Sequence, residues 1–280
     1  MEEYYFLFVL AFIFVLFAAV QDLKKREVAN WLNFSLLGFA LAYRAFYAVY
    51  QNDWNFLAFG LVGFFIFYVL GNILYYAKMF GGGDVKLLWA LGAVLPYSKY
   101  TDLIFVSIEF IILLFLVGAV YTLIYSIFLV CANKKKFKEE FDKQFKTWKV
   151  SFLFSFFISV LLLYVINSRG LWLTCFILLF VLPLLFIYLK SLDKTMIKLV
   201  KSSELTEGDW LEQDVKVGNR WIRKTVHGLS MRDILLLKRN KKKVLIKYGV
   251  PYVPAFLISF VIMVFFYLVL RAFPFLVFLV

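Results

Sequence analysis

Residues 4–20 read YYFLFVLAFIFVLFAAV, without one charged side chain, and residues 21–26 follow as QDLKKR. As a helix rising about 1.5 Å per residue, the run reaches roughly 25 Å, close to the hydrocarbon thickness of a bilayer. Its basic flank marks the cytoplasmic end. Met1-Glu2-Glu3 is acidic where a cleavable signal would be basic, and no small-residue cleavage site follows. The run is therefore expected to stay as a span.

The same pattern repeats along the chain. Hydrophobic residues make up 64% of the 280 positions, well above a soluble domain, and the mean hydropathy is +0.84. Apolar runs place spans at 4–20, 31–50, 56–77, 84–96, 103–131, 150–167, 171–189 and 251–272. The run 84–96 reaches only about 20 Å. Without it, however, the seven lysines of 132–149 would fall outside the cell, so it counts as a short crossing. Of the 31 Lys and Arg, 27 lie in alternate loops: 21–30, 78–86, 132–149 and 190–250. Those loops are cytoplasmic and both termini face outside. The net charge of +13 thus reads as membrane topology and anionic-headgroup contact, with no nucleic-acid partner.

The expected fold is an all-α polytopic membrane protein of about eight transmembrane helices with a small cytoplasmic α+β segment. Residues 1–131 form a catalytic transmembrane domain and 132–149 a basic cytoplasmic loop. A transmembrane hairpin occupies 150–189, the small cytoplasmic segment 190–250, and the C-terminal helix 251–280. Within 190–250, Val215-Lys216-Val217 alternates as a strand does, and Ser230-x-x-Asp233 before Ile234-Leu235-Leu236-Leu237 reads as the N-cap of a short helix.

Most membrane chemistries are excluded by inventory. The single histidine, His227, lies in the 190–250 segment, so no span offers the base of a Ser–His protease. No HExxH motif, nucleotide loop or CxxC pair occurs, and Cys131 and Cys175 stand apart in apolar surroundings. No metal or other cofactor is implied. Carboxylates remain. Asp53 and Asp102 border outer loops, where a solvated acid is ordinary. Asp22 and Asp84, by contrast, are separated by two spans, so the chain returns both to the cytoplasmic face. Two close carboxylates share a proton, and one can activate water while the other polarises a carbonyl. Gly81-Gly82-Gly83 places backbone without side chains beside Asp84, open to a close substrate or to motion. A plainer reading makes the glycines a hinge and Asp84 an N-cap.

Gly81-x-Gly83-Asp84, continued by Val85-Lys86-Leu87, resembles the GxGD motif of intramembrane aspartic proteases, most closely the type 4 prepilin and archaeal preflagellin peptidases. Asp22 through Asn30 is similar to that family's first motif, with Ala29 where proline is usual. Val250-Pro251-Tyr252-Val253-Pro254 before the last span also resembles archaeal members. The resemblance covers residues 1–131 best. It implies an aspartic endopeptidase with Asp22 and Asp84 catalytic and Gly81, Gly83, Lys86 and Asn30 in support. The implied partners are prepilin or preflagellin precursors, cut after a short basic leader at the cytoplasmic face of the cell membrane. Bacterial relatives add an N-methyltransferase activity associated with a cysteine-bearing loop between the first two spans. The ten cysteine-free residues here favour the archaeal branch. A presenilin or signal-peptide-peptidase relative is the alternative within the class, although Gln21-Asp22 stands where Tyr-Asp is expected. A transporter using intramembrane carboxylates is the alternative outside it. Glu27 and the acids of 204–214 are the local candidates for meeting a basic leader.

Arg44 and Glu109 fall inside spans at about the same depth from the outer boundary. An interhelical ion pair is expected between them, with Arg271 as the other candidate partner of Glu109.

Overall fold

A computed structural model describes residues 2–165, 169–218, 220–225 and 228–270. His227 and Arg271 lie outside the described residues. Among the described residues, six helices are long and apolar enough to cross a membrane, as in a multi-pass membrane protein. The chain divides into two compact units, Met1–Leu123 with Val250–Val280, and Ile124–Gly249.

The first unit contains α1 (Tyr5–Lys25), α2 (Asn30–Gln51), α3 (Trp54–Tyr76), α4 (Gly82–Val94), the first part of α5 (Tyr100–Ala132), and α10 (Val253–Phe265). Helix α1 stops where Arg26 turns left-handed at φ 57° and donates its backbone N–H to Asp22 O at 2.8 Å. Ala29 is extended and leads into α2, which ends at a left-handed Asn52. Asp53 then caps α3 by accepting the Asn55 N–H. Helices α3 and α4 approach backbone to backbone. A Cβ on Gly92 would lie 2.6 Å from Gly63 O, so no larger residue fits that crossing.

Thirteen residues make α4 about 20 Å long, so it ends inside the bundle with its last carbonyls lacking helical donors. Arg44, fully buried, supplies them. Its Nε donates to Ala93 O at 2.7 Å and its Nη2 to Leu95 O at 2.7 Å, while Nη1 donates to Phe56 O at 2.8 Å. The guanidinium also lies 4.6 Å from the Phe56 ring centroid. The expected ion pair with Glu109 is therefore corrected: Arg44 is a cationic cap on the negative end of α4. The other polar residue in the buried stripe of α2 is Asn33, whose Nδ2 donates to Gly83 O at 3.1 Å. Two polar side chains of α2 thus pin both ends of α4.

The second unit contains the end of α5, α6 (Lys134–Val165), α7 (Arg169–Phe176) and α8 (Leu182–Thr195), with a π-helical turn at Ile177–Val181. That turn precedes Pro183, which cannot donate into the helix. The seven-lysine stretch expected as a loop is instead the start of α6. Phe137, Phe141 and Phe145 recur at intervals of four and stack along one side. Phe137 meets Tyr188 and Trp148 meets Phe186 on α8, each pair 5.5 Å apart.

The rest of this unit is a small α+β body. Strands β1 (Ile197–Lys201), β5 (Lys243–Lys247) and β2 (Trp210–Leu211) form an antiparallel sheet in the order β1-β5-β2, and β3 (Val215–Val217) pairs with β4 (Arg220–Ile222). Helix α9 (Met231–Arg239) opens on a Ser230–Asp233 capping box, as its sequence indicates. Val200, Leu211, Ile234, Leu237, Val244 and Ile246 are among the buried residues of its core. Ion pairs Lys194–Glu212 and Lys247–Asp193 tie the body to the end of α8.

Candidate active site

Asp22 lies in the last turn of α1 and is only 5% exposed. A buried carboxylate needs donors. Its Oδ2 accepts the backbone N–H of Val253 at 2.9 Å, the first residue of α10, immediately after Pro251 and Tyr252. That amide is one of the helix-start donors with no partner inside the helix, so carboxylate and helix end satisfy each other.

Asp84 stands in the first turn of α4, where its Oδ2 accepts the Gly81 N–H at 3.1 Å. The bond closes a capping turn over the glycines. A Cβ on Gly83 would sit 3.3 Å from the Cβ of buried Val28, so the glycine lets the turn lie tightly against the loop between α1 and α2. Asp22 and Asp84 are close enough for their charges to interact, and Asp84 also interacts with Tyr252.

The first turn of α2 brackets Asp84 from one side. Lys86 Nζ donates to Asn30 Oδ1 at 2.7 Å, and three residues along α2 Asn33 reaches Gly83 O. On another side stand aromatic rings. Phe80 lies 5.3 Å from Tyr252 and 5.7 Å from Phe256, and Tyr252 Oη donates to Leu114 O at 3.3 Å.

Asp22, Asp84, Gly81, Gly83, Lys86 and Asn30 are thus gathered at one end of one helix bundle. Glu27 is exposed. The acids of 204–214 are partly engaged within the second unit. Asp209 accepts the Thr206 N–H, Asp214 accepts the Lys224 N–H, and Glu212 pairs with Lys194 at 2.8 Å. Sequence reading missed Asn33, which sits among apolar neighbours with no motif around it. It also missed Val253's role, because a backbone amide has no side-chain signature; only the flanking prolines marked the segment.

The apolar helices bring two carboxylates to one end of a bundle, each accepting a backbone N–H, as a candidate paired-carboxylate site in a helical membrane protein. Residues 9–130 match the type IV leader peptidase family. The chain is 33% identical over 89 residues to the preflagellin peptidase of Methanocaldococcus jannaschii, covering 32% of this chain and 38% of that one. It is 30% identical over 92 residues to the preflagellin peptidase of Methanococcus maripaludis, covering 32% and 40%. To that of Methanococcus voltae it is 29% identical over 146 residues, covering 45% and 59%. The chain therefore spans between about two fifths and three fifths of the length of these relatives. No solved structure matches it. The matches favour the leader-peptidase branch over the presenilin-like one.

Proposed function

We propose that this protein is an intramembrane aspartic endopeptidase that removes short basic leaders from prepilin-like or preflagellin-like precursors. The observation that carries the reading is the Asp22–Asp84 pair, two carboxylates in electrostatic range, each immobilised through Oδ2. With one oxygen of each held, the remaining oxygens do the chemistry. The ionised carboxyl takes a proton from water as the water oxygen attacks the scissile carbonyl carbon. The protonated carboxyl donates to the carbonyl oxygen. Collapse of the tetrahedral intermediate passes the proton to the leaving amine and breaks the C–N bond. Fixing the carboxylates before substrate arrives lowers the reorganisation needed in the transition state.

In this reading α4 and α10 are short crossings that complete about eight. Both termini face outside, and the site opens at the cytoplasmic face, beside Lys24, Lys25 and Arg26. The basic faces contact anionic lipid headgroups. A leader then presents its cleavage segment as extended chain along Gly81–Gly83, where Gly82 is exposed.

The test is incubation of purified protein in detergent or liposomes with a preflagellin precursor. Wild type should release the leader, and Asp22→Asn and Asp84→Asn should not. Release by either variant at the wild-type rate removes the pair from catalysis.

A further inference from the structure

Asn33 has a hydrogen-bonding capacity that the fold does not use. It is 1% exposed, in a stripe of α2 that otherwise buries Leu32, Leu36, Ala40, Arg44 and Ala48. Its Nδ2 donates to Gly83 O, which settles the orientation of the amide, because a carbonyl accepts only from the nitrogen. Its Oδ1 is buried and has no hydrogen-bond partner among the described residues.

Two comparisons within the same helix give this meaning. Asn30, three residues earlier, also reaches α4, and its Oδ1 is filled by Lys86 Nζ. Arg44, eleven residues later, pins the far end of α4 with each of its three nitrogens donating to a carbonyl. The Asn30 oxygen and the Arg44 nitrogens are thus filled by the fold. A buried acceptor without a donor is unfavourable, and leucine or methionine at position 33 would fill similar volume without stranding one. The stranded atom belongs to the side chain that grips the carbonyl of Gly83, the residue before Asp84.

Resting on the proposed peptidase reading, we propose that Asn33 is a substrate-positioning residue. While Nδ2 holds the glycine turn, Oδ1 accepts a backbone N–H of the precursor segment lying along Gly81–Gly83. The contact recognises peptide backbone and is indifferent to side chains. It sets where the scissile bond stops relative to Asp84, and Asn33 takes no part in proton transfer.

The test compares wild type with Asn33→Leu, and with Asn33→Ala should the leucine variant fail to fold, on a synthetic preflagellin peptide. Removing one such acceptor should lower kcat/KM by about tenfold, chiefly through KM. The thermal midpoint should change little, because the variant removes the stranded Oδ1 together with the Nδ2–Gly83 O bond. A second measurement uses peptides in which single backbone amides near the scissile bond are replaced by esters. One position should lose about tenfold with wild type and little with the variant. Unchanged kcat/KM overturns the proposal. So does a loss of activity matched by a loss of stability, or an ester series with no sensitive position. If wild type cleaves no precursor, the peptidase reading fails and this inference with it; cleavage by wild type with an indifferent variant defeats this inference alone.

Discussion

The backbone N–H of Val253 donates to Asp22 Oδ2 at 2.9 Å, joining residues 231 positions apart in the sequence. The contact brings the start of the last described helix onto the carboxylate at the end of the first. It makes the segment around Pro251 and Pro254 a wall of the carboxylate site, although it lies outside the matched residues 9–130.

The carboxylate substitutions follow from that geometry. Asparagine keeps an acceptor oxygen for the amides of Val253 and Gly81, so both variants should fold and insert as wild type does. Neither can transfer the proton, so each should lose about a thousandfold or more in cleavage rate. A purified leader-release assay beside a thermal melt checks both halves, and an Asp84→Asn protein that still cleaves within tenfold of wild type contradicts the assignment.

Gly83→Val tests the close approach to Val28. The added Cβ alone would sit 3.3 Å from Val28 Cβ, and the two methyls beyond it need space the loop does not have. The variant should lose cleavage and about 1–3 kcal/mol of stability through overpacking. Glycine there serves packing as well as motion. Full activity in a stable Gly83→Val protein would show that the turn moves away from the loop at no cost.

Arg44→Leu should be among the most damaging single changes. It strands Ala93 O, Leu95 O and Phe56 O together, at about 3 kcal/mol or more. Arg44→Lys should recover only part, because an ammonium cannot fork to three separate carbonyls. Combining Arg44→Leu with Glu109→Leu should give additive losses in detergent melts. A clear rescue in the double variant would restore the ion pair between them.

The α+β body should show an acid limb. The Lys194 ammonium hydrogen-bonded to Glu212 holds that carboxyl below its usual value. A carboxyl lowered by folding stabilises the body fully above its unfolded pKa of about 4.3, and the contribution disappears as pH falls through the folded value. Glu212→Gln should therefore flatten the acid side of a melt-versus-pH curve followed by the fluorescence of Trp210 and Trp221. Identical curves for wild type and variant between pH 3 and 6 would assign the acid limb to other groups.

Much of this architecture is visible in the residue order. The six long apolar helices, the Ser230–Asp233 cap and the strand at Val215–Val217 are local patterns, set by side chains within a turn or two of one another. The candidate pair was visible too, because two spans between Asp22 and Asp84 return the chain to the same side. The helix at 134–149 escaped notice because its lysines outnumber the phenylalanines that recur at every fourth position.

By itself, the sequence determined a multi-span helical protein, the GxGD resemblance and the residues around it, since burial in lipid and helical periodicity are written in composition and spacing. Only the tertiary structure decided that Val253 holds Asp22, that Arg44 caps α4 and that Asn33 grips the glycine turn. Those partners are backbone amides and carbonyls, identical at every residue, and which of them is left without a helical mate depends on where each helix ends and how it is rotated against its neighbours.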